Sequence, residues 1–245
     1  MPADDHQLAA ELAAEAGALL VELRRQDLHP DRLRAEGDRR AHQLLSRRLA
    51  EERPDDGFLS EEGVDDERRL SCDRVWIVDP LDGTREYGET GRTDWAVHVA
   101  LVVRGTVAAG AVALPASGLV LATEPAPPMP DAPEPPVVVT SRTRRPWAGT
   151  AVAEALGAAL HPLGSAGAKA MAVVTGMASA YAHAGGMYEW DSAAPVAVAA
   201  AAGFHVSRVD GSPLLYNQRD PWLPDLLVCR PELAERCLDA LRGVW

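Results

Sequence analysis

Trp76-Ile77-Val78-Asp79-Pro80-Leu81-Asp82-Gly83-Thr84 decides the reading of this chain. The apolar run Val75–Val78 reads as a buried strand, and it ends in two carboxylates three residues apart. Pro80 fixes its own φ and disfavours a helical Asp79, so the backbone stays extended through the turn. Both acids, and the Leu81 carbonyl, can then face one point. Gly83 and Thr84 read as the start of a short helix whose free N–H groups receive an anion. Carboxylates beside an anion repel it unless cations lie between them, and hard divalent cations with oxygen ligands suit that place. The segment points to Mg²⁺ and a phosphate. The plainer reading, Asp82-Gly83 as a turn and Asp79 as a cap, would leave an uncompensated acidic pair at the end of a buried strand, which is costly.

Working outward, Leu59-Ser60-Glu61-Glu62 ends another short strand in acids. Trp190-Asp191-Ser192-Ala193-Ala194 sets one acid at the start of an otherwise apolar helix. Taken alone, Glu61-Glu62 is also readable as a solvated loop and Asp191 as an N-cap. With Asp79 and Asp82 they make a carboxylate cluster. Around these segments, His6–Gln26 and Asp38–Arg53 carry leucines at helical spacing. Short apolar runs follow at Phe58–Leu59, Val75–Val78, Trp95–Val103, Val107–Leu114 and Leu119–Ala122, which read as strands of one sheet. The proline-rich stretch 124–136 reads as an extended connector. It separates an N-terminal α+β lobe, 1–123, from a C-terminal α/β lobe, 137–245. In the second lobe strands are expected at Val137–Thr140, Ala178–Ala182, Phe204–Val206 and Leu226–Cys229. Helices are expected at Ala148–Leu160, Gly167–Val174, Asp191–Ala202 and Pro231–Arg242.

Composition bounds the function. The chain has 245 residues, 47% of them hydrophobic and 24% charged, as in a soluble globular protein. With 36 acidic against 24 basic residues the formal charge is −12, which excludes a broad basic surface for a nucleic acid polymer. No apolar run approaches the roughly 18 residues of a spanning helix, and the first residues show no secretory pattern, so no membrane partner and a cytoplasmic location are expected. Cys72, Cys229 and Cys237 lack the spacing of a disulfide framework or a zinc site. Lys169 is the only lysine; every other basic position is Arg. A compact ammonium on a thin stem enters a phosphate pocket where a planar guanidinium clashes, so Lys169 is expected to meet an anion. The bland alternative is a snorkelling surface lysine.

VWIVDPLDGTREY, LSEE and EWDSAAPVAVAAAAG together resemble the signature segments of the inositol monophosphatase superfamily, the Mg²⁺-dependent, lithium-sensitive phosphatases. GSAGAKAM, from Gly164 to Met171, combined with EWDSAAP is similar to the branch that acts on 3′-phosphoadenosine 5′-phosphate, the 3′(2′),5′-bisphosphate nucleotidases of sulfate assimilation. The resemblance implies a layered α/β/α/β/α sandwich of the α+β or α/β class, a homodimer, and two or three Mg²⁺ per active site. Carried over, it makes Glu61, Asp79 and the Leu81 carbonyl ligands of one metal, and Asp79, Asp82 and Asp191 ligands of a second. Thr84 and Asp38, with Glu61, would serve the attacking water. The relatives usually carry a threonine shortly before that aspartate, where this chain has Ala35-Glu36-Gly37; Asp38 is also readable as a helix N-cap. Gly83, Thr84 and Asp191 would touch the scissile phosphate, and Gly164, Ser165, Lys169 and His183 the second, 5′-phosphate.

Other catalytic plans fail on spacing: there is no cysteine-phosphatase loop, no DxD, no GxSxG and no GxxxxGK[ST]. The histidines form no HxH or HxxxH pair, so His98 reads as a packed, hydrogen-bonded residue. What the resemblance implies, with Lys169 beside it, is Mg²⁺-dependent hydrolysis of the 3′-phosphate of 3′-phosphoadenosine 5′-phosphate to AMP and phosphate. Inositol monophosphate, fructose 1,6-bisphosphate and histidinol phosphate are the alternative substrates, and a catalytically dead metal-binding scaffold is the alternative class.

Overall fold

The computed structural model describes residues 4–144 and 147–242. The chain opens with α1 (Asp5–Arg24), whose N-cap Asp4 accepts a hydrogen bond from the Gln7 N–H and which buries Leu8, Leu12, Ala16, Leu20 and Leu23 on one face. Helix α2 spans Pro30–Glu52 and buries Leu33, Gly37, Ala41, Leu45 and Leu49. It begins two turns before the expected Asp38, because Pro30 is tolerated at the first helical position, where no N–H is needed. Asp38 is therefore a mid-helix residue, and its reading as an N-cap is overturned.

Strands β1 (Gly57–Ser60) and β2 (Arg74–Asp82) pair in parallel. After the short helix α3 (Thr84–Gly88), β3 (Ala96–Val103), β4 (Thr106–Leu114) and β5 (Leu119–Ala122) extend the sheet antiparallel in the order β1-β2-β3-β4-β5. Beyond the connector come β6 (Val137–Ser141), α4 (Trp147–Leu156), β7 (Ala159–Leu163), α5 (Ala166–Val174) and β8 (Ala180–Tyr188). Helix α6 (Glu189–Ala201), β9 (His205–Ser207), β10 (Trp222–Cys229) and α7 (Ala234–Arg242) complete the chain. The second sheet has the order β7-β6-β8-β10-β9. The helix expected over Ala148–Leu160 stops at Leu156, since Gly157 takes φ +65° and turns the chain into β7.

Five layers result. Helices α1 and α2 cover the outer face of the first sheet, α5 and α6 lie between the sheets, and α4 and α7 cover the second. The Ala-rich α6 touches β2, β3 and β4 on one side and β9 and β10 on the other. A helix pressed between two sheets needs small apolar residues all round, which explains its sequence. The central core accordingly mixes Leu59, Ile77 and Val112 from the first sheet with Val139, Tyr181 and Leu226 from the second. No helix among the described residues is long and apolar enough to cross a membrane.

Candidate active site

Side chains along a strand alternate faces, so Asp79 and Asp82, three apart, would point to opposite sides of a regular β2. The pairing with β3 changes this: Asp79 faces His98 and Asp82 faces Ala96, three residues against two. The extra residue is a bulge at Pro80-Leu81, and it turns both carboxylates to one side. Asp191 arrives from the third position of α6, where its carboxylate accepts from the Tyr188 N–H at 2.7 Å. The N-cap place, the plainer alternative for Asp191, is taken by Tyr188. Pro195, one turn on, has no N–H to donate to the Asp191 carbonyl.

One carboxylate oxygen each of Asp79, Asp82 and Asp191 lies within 4.8 Å of the others. Asp79 is 1% exposed; its Oδ1 accepts from the Leu81 N–H at 3.0 Å, and its buried Oδ2 has no hydrogen-bond partner. Burial, then the charges of Glu61, Asp82 and Asp191, raise its pKa well above the usual carboxylate range. Burial and Asp82 raise Asp191 to about 6. Glu61, just past the end of β1, stands outside the trio with its outer edge open to solvent; partial burial and the charges of Asp191, Asp82 and Asp38 push it to about 7. Asp82 differs. Burial opposes its charge, but His98, Lys169 and the Gly167 N–H at 2.7 Å outweigh it and hold its pKa down.

His98 is fully buried, as expected, and also belongs to the site. Its Nδ1 lies 3.0 Å from the Trp190 carbonyl and its Nε2 3.3 Å from Asp82 Oδ2, an ion-pair contact rather than an aligned hydrogen bond. Both nitrogens face groups that only accept; burial opposes a charge on the ring, and Asp82 outweighs burial and raises its pKa. The signal in the sequence was one histidine in the apolar strand Ala96–Val103, across from Asp79.

Thr84 opens α3 after Gly83, whose φ of +86° places it in the left-handed region and whose added Cβ would stand 2.9 Å from Ser165 Cβ. Thr84 Oγ1 lies 3.3 Å from Asp38 Oδ1 and 3.1 Å from the Leu81 carbonyl. Burial and the Glu62 charge raise Asp38 to about 7. The expected pair thus stands together, with Asp38 projecting from the middle of α2.

Beside the carboxylates opens a cavity of about 130 Å³, lined by Asp82, Gly83, Asp191, Gly164, Ser165, Lys169, His183 and, outside the sequence reading, Arg144. Ser165 caps α5 by accepting from the Ala168 N–H at 2.8 Å. Lys169 is 3% exposed, which removes the snorkelling reading. Its Nζ donates to the Gly164 carbonyl and, at 2.7 Å, to the Ser165 carbonyl, and sits 5.2 Å from the Tyr181 ring centre. Burial lowers its pKa to about 8. His183 is pulled down to about 4 by burial, and its Nε2 faces the Gly186 carbonyl at 3.0 Å. A neutral ring donating there leaves Nδ1 as an acceptor, so the positive charge in the cavity comes from Lys169 and Arg144. Arg144, one of whose N–H groups donates to the Gly186 carbonyl at 2.6 Å, sits in an irregular loop that no motif marks.

The sequence profile of the inositol monophosphatase family matches residues 5–244. The 3′-phosphoadenosine 5′-phosphate phosphatase of Mycobacterium leprae is 49% identical, over 98% of this chain and 94% of its own length. That of Mycobacterium bovis is 51% identical over 94% and 91%, and the 3′(2′),5′-bisphosphate nucleotidase CysQ of Escherichia coli 33% identical over 75% and 79%. Among solved structures, CysQ from Bacteroides thetaiotaomicron superposes with a TM-score of 0.79 at 26% identity, covering 92% of this chain and 97% of that one. Inositol monophosphatase II from Staphylococcus aureus does so with a TM-score of 0.81 at 22% identity, over 97% and 95%. The layered fold, the aspartate cluster and a match running nearly the full length of the sequence agree: the chain belongs to the inositol monophosphatase family.

Proposed function

We propose that this chain is a Mg²⁺-dependent phosphomonoesterase that removes the 3′-phosphate of 3′-phosphoadenosine 5′-phosphate, leaving AMP and phosphate. The observation that carries the reading is the buried Asp79 Oδ2, partnerless, aimed among carboxylates from two elements beside a cationic cavity. Hard oxygen donors so crowded fit divalent cations better than they fit one another. Asp79, Asp82, Asp191, Glu61 and the Leu81 carbonyl would hold them. Bound there, the ions supply charge neutralisation on the phosphoryl group and a lowered pKa for the attacking water.

The rest falls to the protein. Asp38 and Thr84 orient the water and take up its proton at the Asp38 carboxylate, whose pKa near 7 suits a base at neutral pH. The N–H groups of Gly83 and Thr84 receive the scissile phosphate, and Gly164, Ser165, Lys169 and Arg144 offer a second anion site to the 5′-phosphate. His183 offers an acceptor to a ligand N–H or O–H. A homodimer, a cytoplasmic location, inhibition by lithium and lobes 1–123 and 137–245 complete the proposal.

Phosphate release with Mg²⁺ from 3′-phosphoadenosine 5′-phosphate, inositol 1-phosphate, fructose 1,6-bisphosphate and histidinol phosphate tests it. The nucleotide should lead in kcat/KM by at least about tenfold, the worth of one charge-assisted hydrogen bond. Comparable rates on all four would remove the nucleotide preference. No release from any would leave a metal-binding scaffold.

A further inference from the structure

Arg69 is 1% exposed, in the loop that follows Glu61, and has no part in the mechanism above. The loop runs from Glu61 to the short 3-10 turn Glu67–Ser71, in which Arg69 sits. Its guanidinium donates twice to Asp65, from Nε at 2.7 Å and from Nη2 at 2.9 Å, which closes the loop on itself. Its Nη1 reaches across to the second half of the chain, donating to Asn217 Oδ1 at 2.7 Å and to the Gln218 carbonyl at 3.0 Å. Asn217 answers, its Nδ2 donating to the Arg69 carbonyl at 3.1 Å.

The segment so gripped is itself tied to α6. The N–H groups of Asn217 and Gln218 donate to the two oxygens of Glu189 at 2.7 and 2.8 Å, and Glu189, 1% exposed, is the first residue of α6. Asp191 follows two residues later. Asn217 has φ +59°, so its backbone is shaped to present both its N–H and its side chain to this junction. A continuous hydrogen-bonded path therefore runs from the Glu61 loop through Asp65, Arg69, Asn217 and Glu189 to the helix turn that carries Asp191. No strand pairing joins these two elements, since β1 pairs with β2 and α6 lies between the sheets. A planar fork that satisfies a carboxylate bidentately while gripping two further acceptors is a task for Arg, and Lys has too few fixed donors for it.

We propose that Arg69 is a positioning residue that sets the Glu61 loop against the first turn of α6, so that carboxylates from the two halves of the chain meet at one metal-binding point. This rests on the metal reading of Glu61 and Asp191.

Titration calorimetry with Mg²⁺ alone, without substrate, tests it on the full chain bearing Arg69→Lys, Asp65→Asn or Asn217→Gly. Asp65→Asn keeps one acceptor for the guanidinium on a side chain 37% exposed, and glycine accepts the backbone of position 217 without touching the Asp65–Arg69 pair, so the test survives if Arg69→Lys does not fold. Each folded variant should bind Mg²⁺ at least about fivefold more weakly, and its Mg²⁺ requirement for phosphate release should rise while kcat at saturating Mg²⁺ changes less than about threefold. Variants that melt lower but bind Mg²⁺ as the parent does would overturn the proposal and leave Arg69 a structural residue. A parent chain that binds no Mg²⁺ would instead remove the metal reading, and the proposal with it.

Discussion

At the residue scale, Asp82 carries the sharpest prediction. It is the one cluster carboxylate whose surroundings hold it ionised, through His98, Lys169 and the Gly167 N–H. Asp82→Asn keeps the shape and an acceptor for Gly167 but removes the charge. Phosphate release should fall by about 100-fold or more, as for a principal electrostatic element, with the fold intact by circular dichroism. Activity within tenfold of the parent would contradict the role. Lys169 has two tasks: its ammonium ties down the Gly164 and Ser165 carbonyls and faces the cavity. Lys169→Ala should cost about 1–3 kcal/mol of stability, from carbonyls left unpaired. It should also raise KM for 3′-phosphoadenosine 5′-phosphate about tenfold more than for inositol 1-phosphate, with Lys169→Arg restoring only part. Equal rises on both substrates would show that the lysine shapes the turn without reading the second phosphate. Residue identity was legible in both cases, by the acidic spacing for Asp82 and by compositional rarity for Lys169. The carbonyl contacts of Lys169 were not, because they depend on the path of its own backbone.

At the element scale, the site depends on how closely α5 approaches the first sheet. A Cβ added at Gly167 would stand 2.0 Å from His98 Nε2 and 3.1 Å from Ala96 Cβ. Gly167→Ala should therefore lift the N-terminus of α5 off β3, lengthen the Gly167 N–H contact to Asp82 and cost about 2–3 kcal/mol in chemical denaturation. Activity should fall with it; an unchanged midpoint would show that the helix can shift freely. Most elements were legible from apolar periodicity, but their ends were less so. The start of α2 escaped because Pro30 reads as a breaker when its neighbours are polar, and the β2 bulge escaped because strand alternation carries no mark of an inserted residue.

At the scale of the molecule, helix α6 belongs by sequence to the second half and packs against the first sheet, so one core serves both. Residues 1–136 alone would expose the inner face of that sheet and should not fold, whereas the full chain should melt in one transition. A folded fragment would show that the lobes are independent. The acids of the site make stability depend on pH. Asp38 and Glu61 are raised to about 7 and Asp191 to about 6, so between pH 4 and 7 these three acids hold more protons folded than unfolded, and they outnumber His183, which is lowered to about 4 and acts the other way below pH 6.5. Stability then falls as pH rises through that window. Metal-free protein should lose Tm from pH 5 to pH 8, and the rise in Tm with added Mg²⁺ should grow over the same range. At 100 times its Kd the ion adds about 2.7 kcal/mol, or roughly 5–10 °C. A Tm indifferent to millimolar Mg²⁺ at pH 8 would sink the cluster as a metal site.

Side-chain type and local spacing carried the expected chemistry: DPLDGT after an apolar strand, acids at the ends of two other elements and a lone lysine among glycines pointed to a carboxylate cluster beside an anion, while the individual ligands followed from the family resemblance. How those groups meet was settled by packing. The bulge that turns Asp79 and Asp82 together, the imidazole of His98 against Asp82, the place of Arg144 in the cavity and the path from Arg69 to Glu189 all join residues far apart in the chain or faces set by register. Periodicity reports which side of an element is apolar; it does not report which element will stand opposite, since that is settled by packing the layers around one core.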